Sequence, residues 1–250
     1  MHGTTIYPVP WRRLWVLAWA AQCWPSAGNA QRGDLGSWNI LNVKLDHSDR
    51  LTVFVEGQVR SLGFYNTFHY HEYKAGFSYK ALPALRIGLG GGRYDTYAET
   101  GDFVRPKQNS ELRIWPHATL EGALGRVKVE HRYRAELRWT SNGYRNRFRY
   151  RLGFAYAFGQ DRGGQRPFQL TANNELFFTD REPYFERNRS ALTFNYRLGP
   201  ALVAQIGYLH QFDYRINDET GRDFLMLGLF IELPNGQGGP VENTPPQRED

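Results

Sequence analysis

Residues 127–158 read VKVEHRYRAELRWTSNGYRNRFRYRLGFAYAF, and their alternation decides the fold. In the first half Val127, Val129, His131, Tyr133, Ala135, Leu137 and Trp139 share one parity, and Lys128, Glu130, Arg132, Arg134, Glu136 and Arg138 share the other. In the second half Phe148, Tyr150, Leu152, Phe154, Tyr156 and Phe158 alternate with Arg147, Arg149, Arg151, Gly153, Ala155 and Ala157. A period of two marks an extended strand whose side chains leave opposite faces. Asn142-Gly143 between the halves is a hairpin-turn dipeptide. One face of this hairpin is too densely charged for a protein core, and the other is too apolar for water. Lipid on the apolar side and an aqueous or salt-bridged interior on the other satisfy both. The pattern predicts an all-β, antiparallel up-and-down transmembrane β-barrel.

The same alternation recurs on both sides of the hairpin. Strands are expected over Trp38–Leu45, Leu51–Arg60, Phe68–Lys80, Leu85–Tyr97 and Asn109–Glu121. After the hairpin they are expected over Pro167–Phe178, Arg187–Leu198, Ala201–Tyr214 and Asp223–Leu233. That makes 11 segments. Bacterial single-chain barrels are even-numbered, so 10–12 strands are expected, with 12 preferred. Breaks near 46–50, 81–84, 122–126 and 199–200 are short, and those near 98–108, 140–146, 179–186 and 215–222 are longer and more polar. Short periplasmic turns alternating with longer outer loops is the outer-membrane arrangement, which the connection at 159–166 exceeds. Tyr94, Tyr97, Trp139, Tyr144, Phe178, Phe212 and Tyr214 would form one interfacial aromatic girdle, and Phe77, Tyr79, Tyr156, Phe158 and Tyr196 the other. Gly90-Gly91-Gly92 inside a strand suggests a bend or the approach of a neighbour's side chain.

At the amino end Arg12 and Arg13 precede an apolar run, Leu14–Trp24, and small residues ending at Ala30. This is the pattern of a secretory signal peptide over 1–30, cleaved after Ala30, and the run is too short to span as a helix. Gln22 disfavours lipidation at Cys23, the only cysteine, so the mature chain would carry no thiol chemistry. The barrel would occupy 31–233, and the polar, Pro- and Gly-rich 234–250 would be a disordered tail. Loss of Arg12 and Arg13 lowers the net charge from +6 to +4, and the bases alternate with acids along strands. That is not a nucleic-acid patch. The expected location is the cell outer membrane, with membrane lipid and the insertion machinery, through the last strand, as partners.

Parity sends Glu56, Arg60, Glu72, Lys74, Glu111, Arg113, Glu130, Arg132, Arg134, Glu136, Arg138, Arg147, Arg149, Arg151, Glu175, Arg187, Arg189 and Arg197 to the interior. A salt-bridged plug is the favoured reading. The twofold excess of bases over acids in this set keeps a small anion-preferring pore as the other.

Trp38, Glu56-Gly57-Gln58-Val59-Arg60, Glu111-Leu112-Arg113, Glu136-Leu137-Arg138, Arg147-Phe148-Arg149-Tyr150, Asn174-Glu175 and Asn188-Arg189 carry a resemblance to domain of unknown function family 2490 over about residues 36–233. The resemblance implies an outer-membrane barrel with Glu-x-Arg and Arg-x-Arg pairs in its strands. It implies no activity, cofactor or catalytic residue. Trp139-Thr140-Ser141-Asn142 looks like the His-x-Ser-Asn stretch of outer-membrane lipid hydrolases, but Trp139 stands where the base would be. The chain is therefore read as non-enzymatic, with a hydrolase using Ser141 as the alternative. His69 and His71 could share a strand face as zinc ligands do, but no third ligand is evident. No metal and no cofactor are expected.

Overall fold

The computed structural model of this 250-residue chain describes residues 34–160, 166–216 and 219–234. The predicted signal peptide and all but the first residue of the predicted tail lie outside them. Eleven strands form one closed barrel: β1 (Gly36–Asp46), β2 (Leu51–Gly63), β3 (Asn66–Leu82), β4 (Leu85–Ala98), β5 (Val104–Leu124), β6 (Val127–Thr140), β7 (Gly143–Phe158), β8 (Phe168–Thr179), β9 (Phe185–Arg197), β10 (Leu202–Asp213) and β11 (Thr220–Leu233). Each falls on one of the segments read from the alternation.

The wall is neither even-numbered nor wholly antiparallel. Sequential neighbours pair antiparallel, but β1 closes against β11 in parallel, from Gly36 opposite Phe224 to Leu45 opposite Leu233. The Trp38 segment is therefore part of the wall, and no twelfth strand lies among the described residues. An odd number of up-and-down strands leaves the first and last pointing the same way, so the only ladder that closes them is parallel. The chain enters the barrel at one end and leaves it at the other.

The expected alternation of short turns and long loops does not hold. The polar stretches are mostly strand: β5 starts at Val104, β7 at Gly143 and β9 at Phe185, so Ser141-Asn142 alone joins β6 to β7. Backbone pairing continues wherever a neighbouring strand offers partners, whatever the side chains. Gly143, at φ +101°, takes the left-handed conformation that the Asn-Gly signal implied.

Pro116 lies in the middle of β5 and has no N–H. Trp115 and Pro116 drop out of the β5–β6 register, which runs from Ile114 opposite Leu137 to His117 opposite Arg134. The glycines of β4 meet a neighbour's side chain, one of the two possibilities their run raised. Gly90 lies beneath the fully buried Trp115, and a Cβ there would come within 2.5 Å of the indole. Gly90→Val is expected to displace that ring and cost about 1–3 kcal/mol, read as a lower midpoint of barrel unfolding. An unchanged midpoint would mean that the indole is not seated on Gly90.

Tyr94 is not in an outer girdle. It points inward against Trp115, with ring centroids 6.4 Å apart. Trp139 and Tyr144 do form an exposed pair on the outer face, 5.5 Å apart.

Candidate functional site

The interior holds the charged side chains that parity sent there. Of that set, all but Glu130, Arg187 and Arg197 are buried. The β6–β7 register sets Arg132 opposite Arg151, Arg134 opposite Arg149 and Glu136 opposite Arg147. Like charges directly opposite are destabilising, so carboxylates must intervene. Glu136 lies 2.6 Å from Arg147 and 2.8 Å from Arg149. Glu175 lies 2.8 Å from Arg149 and 3.2 Å from Arg132. Glu111 lies 2.6 Å from Arg113 and 2.8 Å from Arg138, and Glu130 lies 2.6 Å from Arg151. Arg134 lies 3.8 Å from Glu136 and over the Trp115 ring at 5.0 Å. The planar guanidinium suits this use, because one group can bridge two acids and still stack on a ring.

A second cluster sits on β1–β3. Lys74 lies 2.5 Å from Glu56 and 2.6 Å from Glu72, and Arg60 lies 3.1 Å from Glu72. Asn42 and Gln58 donate to Glu56, and the Trp38 indole N–H donates to Gln58 at 2.7 Å. Cation–π contacts join the two clusters across the interior. Arg60 lies 3.4 Å from the Trp38 ring, Arg189 lies 4.9 Å from both Trp38 and Phe177, and Arg149 lies 4.5 Å from Phe177. Trp38 and Phe177 are both fully buried, so the guanidiniums of this layer stack on enclosed rings.

Alternation did not reveal three further parts of the interior. Glu186, from a stretch read as loop, pairs with Arg138 and Arg147 at 3.5 and 3.1 Å. Asp213 pairs with Arg187, and Glu232 with Arg197 at 2.8 Å. These acids reduce the apparent excess of interior bases. The third part is apolar: Trp38, Ile40, Ala191, Val203, Leu209, Phe224, Met226 and Phe230 form a buried cluster beside the β1–β11 seam. In β11 both faces are largely apolar, so the period of two carries no contrast there.

Ser141 lies in the exposed β6–β7 turn. Its hydroxyl accepts the Ser110 backbone N–H at 3.0 Å, and its own N–H donates to the Ser110 carbonyl at 3.1 Å. His69 and His71 have different surroundings. The ladder shifts register between Arg60 and Ser61, leaving His69 buried beside Tyr70, whereas His71 shares a hydrogen bond of 3.1 Å with the Tyr97 hydroxyl. Among the described residues no three His, Cys, Asp or Glu side chains are grouped as metal ligands.

Compared with curated proteins and with solved structures, the chain matches nothing. A family model does match, over residues 35–222, which takes in β1 to the start of β11 and nearly all of the interior network. The chain, a closed barrel with buried Arg–Glu salt bridges inside, thus belongs to the family described as protein of unknown function DUF2490.

Proposed function

We propose that this protein is an integral outer-membrane β-barrel whose interior is a salt-bridged plug, not a pore. The observation that carries the reading is the outer face. Every strand leaves a large apolar side chain exposed there: Leu41, Val55, Tyr73, Leu89, Leu112, Tyr133, Phe148, Leu170, Leu192, Ile206 and Leu229. A soluble monomer rarely exposes a contiguous apolar patch above a few hundred Å². Lipid accounts for a belt that goes all the way round, because a closed barrel leaves no unpaired edge in hydrocarbon. No helix among the described residues is long and apolar enough to span, a criterion that says nothing of β-barrels. Export through a cleaved amino-terminal signal and insertion through β11, which presents Leu229, Ile231 and Leu233, belong to the same proposal.

The packed arginine–aromatic layer and the extra acids support the plug. Purified protein should fractionate with the outer membrane, show heat-modifiable gel mobility, and give no steady conductance in a planar bilayer. Recovery as a soluble periplasmic protein would sink the membrane reading. A steady anion-preferring current, weakened or reversed by Arg149→Glu, would replace the plug with the pore.

A further inference from the structure

A polar row interrupts the apolar outer wall of β8 to β11, with Phe178 and Phe212 beyond it on the same face. Asn174 of β8 stands opposite Ser190 of β9, Ser190 opposite His210 of β10, and His210 opposite Asp223 of β11. These residues share the outward parity of Leu192, Tyr208 and Leu225, while Arg189, Ala191, Leu209, Gln211, Phe224 and Met226 face in and are buried. His210 Nδ1 lies 2.7 Å from Asp223, which also accepts the Tyr208 hydroxyl. The Asn174 amide donates to the Ser190 hydroxyl oxygen at 2.9 Å and to the Asn188 side-chain carbonyl at 3.0 Å. The His210 and Asp223 side chains keep 27% and 12% of their surface, so the row is open to a reactant from outside. Ionisable groups on a lipid-facing wall are costly, and the interior network does not use these.

We propose that Ser190, His210 and Asp223 form a nucleophile–base–acid set on the outer wall that hydrolyses acyl esters of membrane lipids. The inference rests on the membrane reading for its substrate but not for its chemistry. Three adjacent strands bring the groups together in the order the reaction needs. Asp223 holds the Nδ1 proton of His210, which leaves the Nε2 lone pair as base. Ser190 is the direct cross-strand neighbour on the far side of His210, at a usual Cβ spacing of about 4.5–5.5 Å; its hydroxyl donates to the Asn188 side-chain carbonyl at 3.5 Å and must turn from there to His210. Such contacts commonly tighten only when substrate binds.

In the reaction, Ser190 Oγ attacks the ester carbonyl carbon as His210 Nε2 takes the hydroxyl proton. The carbonyl oxygen gains the negative charge, and the Asn174 N–H that donates to Oγ before the attack turns to that oxygen as Oγ becomes the ester oxygen. The carbon–oxygen ester bond breaks, and His210 returns the proton to the departing alcohol. Water then attacks acyl-Ser190 through the same base, releasing a fatty acid and restoring the hydroxyl. The substrate class follows from position: exposed apolar side chains flank the row, Leu170, Leu192 and Ile206 on one side and Phe178 on the other, so an acyl chain can lie along them with its ester at the row. Phospholipids and the acyl chains of lipopolysaccharide both offer that chemistry.

The test uses the purified full-length protein in detergent. Phosphatidylethanolamine vesicles, lipopolysaccharide and a soluble short-chain nitrophenyl ester are supplied separately, and a fluorophosphonate probe is mapped by mass spectrometry. Label is expected on Ser190 and not on Ser141. At least one acyl substrate should be cleaved. Ser190→Ala, His210→Ala and Asp223→Asn should each lower the rate by about 100-fold or more. Ser141→Ala should match wild type. Heat-modifiable mobility checks each variant's barrel, and labelling of the wild type depends on no variant. The two lipid arms distinguish the source of the ester. No label on Ser190 with no hydrolysis in any arm overturns the proposal, as does activity that survives Ser190→Ala. Cleavage of the soluble ester by protein found outside the membrane would keep the site and remove only the location.

Discussion

Glu136→Gln is expected to lower the unfolding free energy of the barrel by roughly 3–5 kcal/mol, the usual result of removing one partner of a buried charge pair. Glu136 is 1% exposed and lies 2.6 Å from Arg147, 2.8 Å from Arg149 and 3.8 Å from Arg134. Glutamine keeps the shape and one acceptor oxygen but removes the charge. Arg149 would then depend on Glu175 and Arg147 on Glu186, acids that already serve Arg132 and Arg138. A buried cation left short of countercharge is what makes such a change severe. Glu99→Gln provides the contrast. Glu99 pairs with Arg222 at 2.7 Å but its side chain is 42% exposed, and exposed pairs are worth about 0–1 kcal/mol. Urea unfolding in lipid vesicles, followed by tryptophan fluorescence, measures both. Equal shifts for the two variants would mean that the interior is hydrated rather than packed.

Val55→Arg tests the other face. Val55 is 58% exposed in the middle of β2, while its neighbours Phe54 and Glu56 are buried inside. Arginine on the lipid side of a transmembrane barrel costs about 2–4 kcal/mol at the bilayer midplane. The variant should therefore unfold at lower urea in vesicles and accumulate less in the outer membrane. In a water-soluble barrel the same arginine would sit on a wet surface, with an effect within about 0.5 kcal/mol. A neutral result would thus remove the lipid from the outer face.

The outer-wall row shows why one part of the chain was legible in sequence and another was not. A base for Ser141 is legible in sequence only a few positions away on the same strand, where Trp139 stands. Ser190, His210 and Asp223 lie 20 and 13 positions apart. Nothing in their local patterns sets them off, and only the β9–β10 and β10–β11 registers put them side by side. The same holds for Glu186, which reads as loop until β9 places it against Arg138 and Arg147.

The sequence by itself determined the segments and the faces. Extended chain places successive side chains on opposite sides, so alternating Arg with Tyr or Phe separates inside from outside without knowledge of any partner. It also carried the hairpin turn at Asn142-Gly143 and the family membership. Tertiary structure alone decided closure and pairing. Nothing local to β1 or β11 states that eleven strands close through a parallel seam, because closure depends on the stagger and tilt of the whole sheet. Which acid meets which arginine follows from the same stagger. So does the apolar cluster beside the seam, where both faces of β11 are hydrophobic and only the curvature of the wall turns Phe224, Met226 and Phe230 inward.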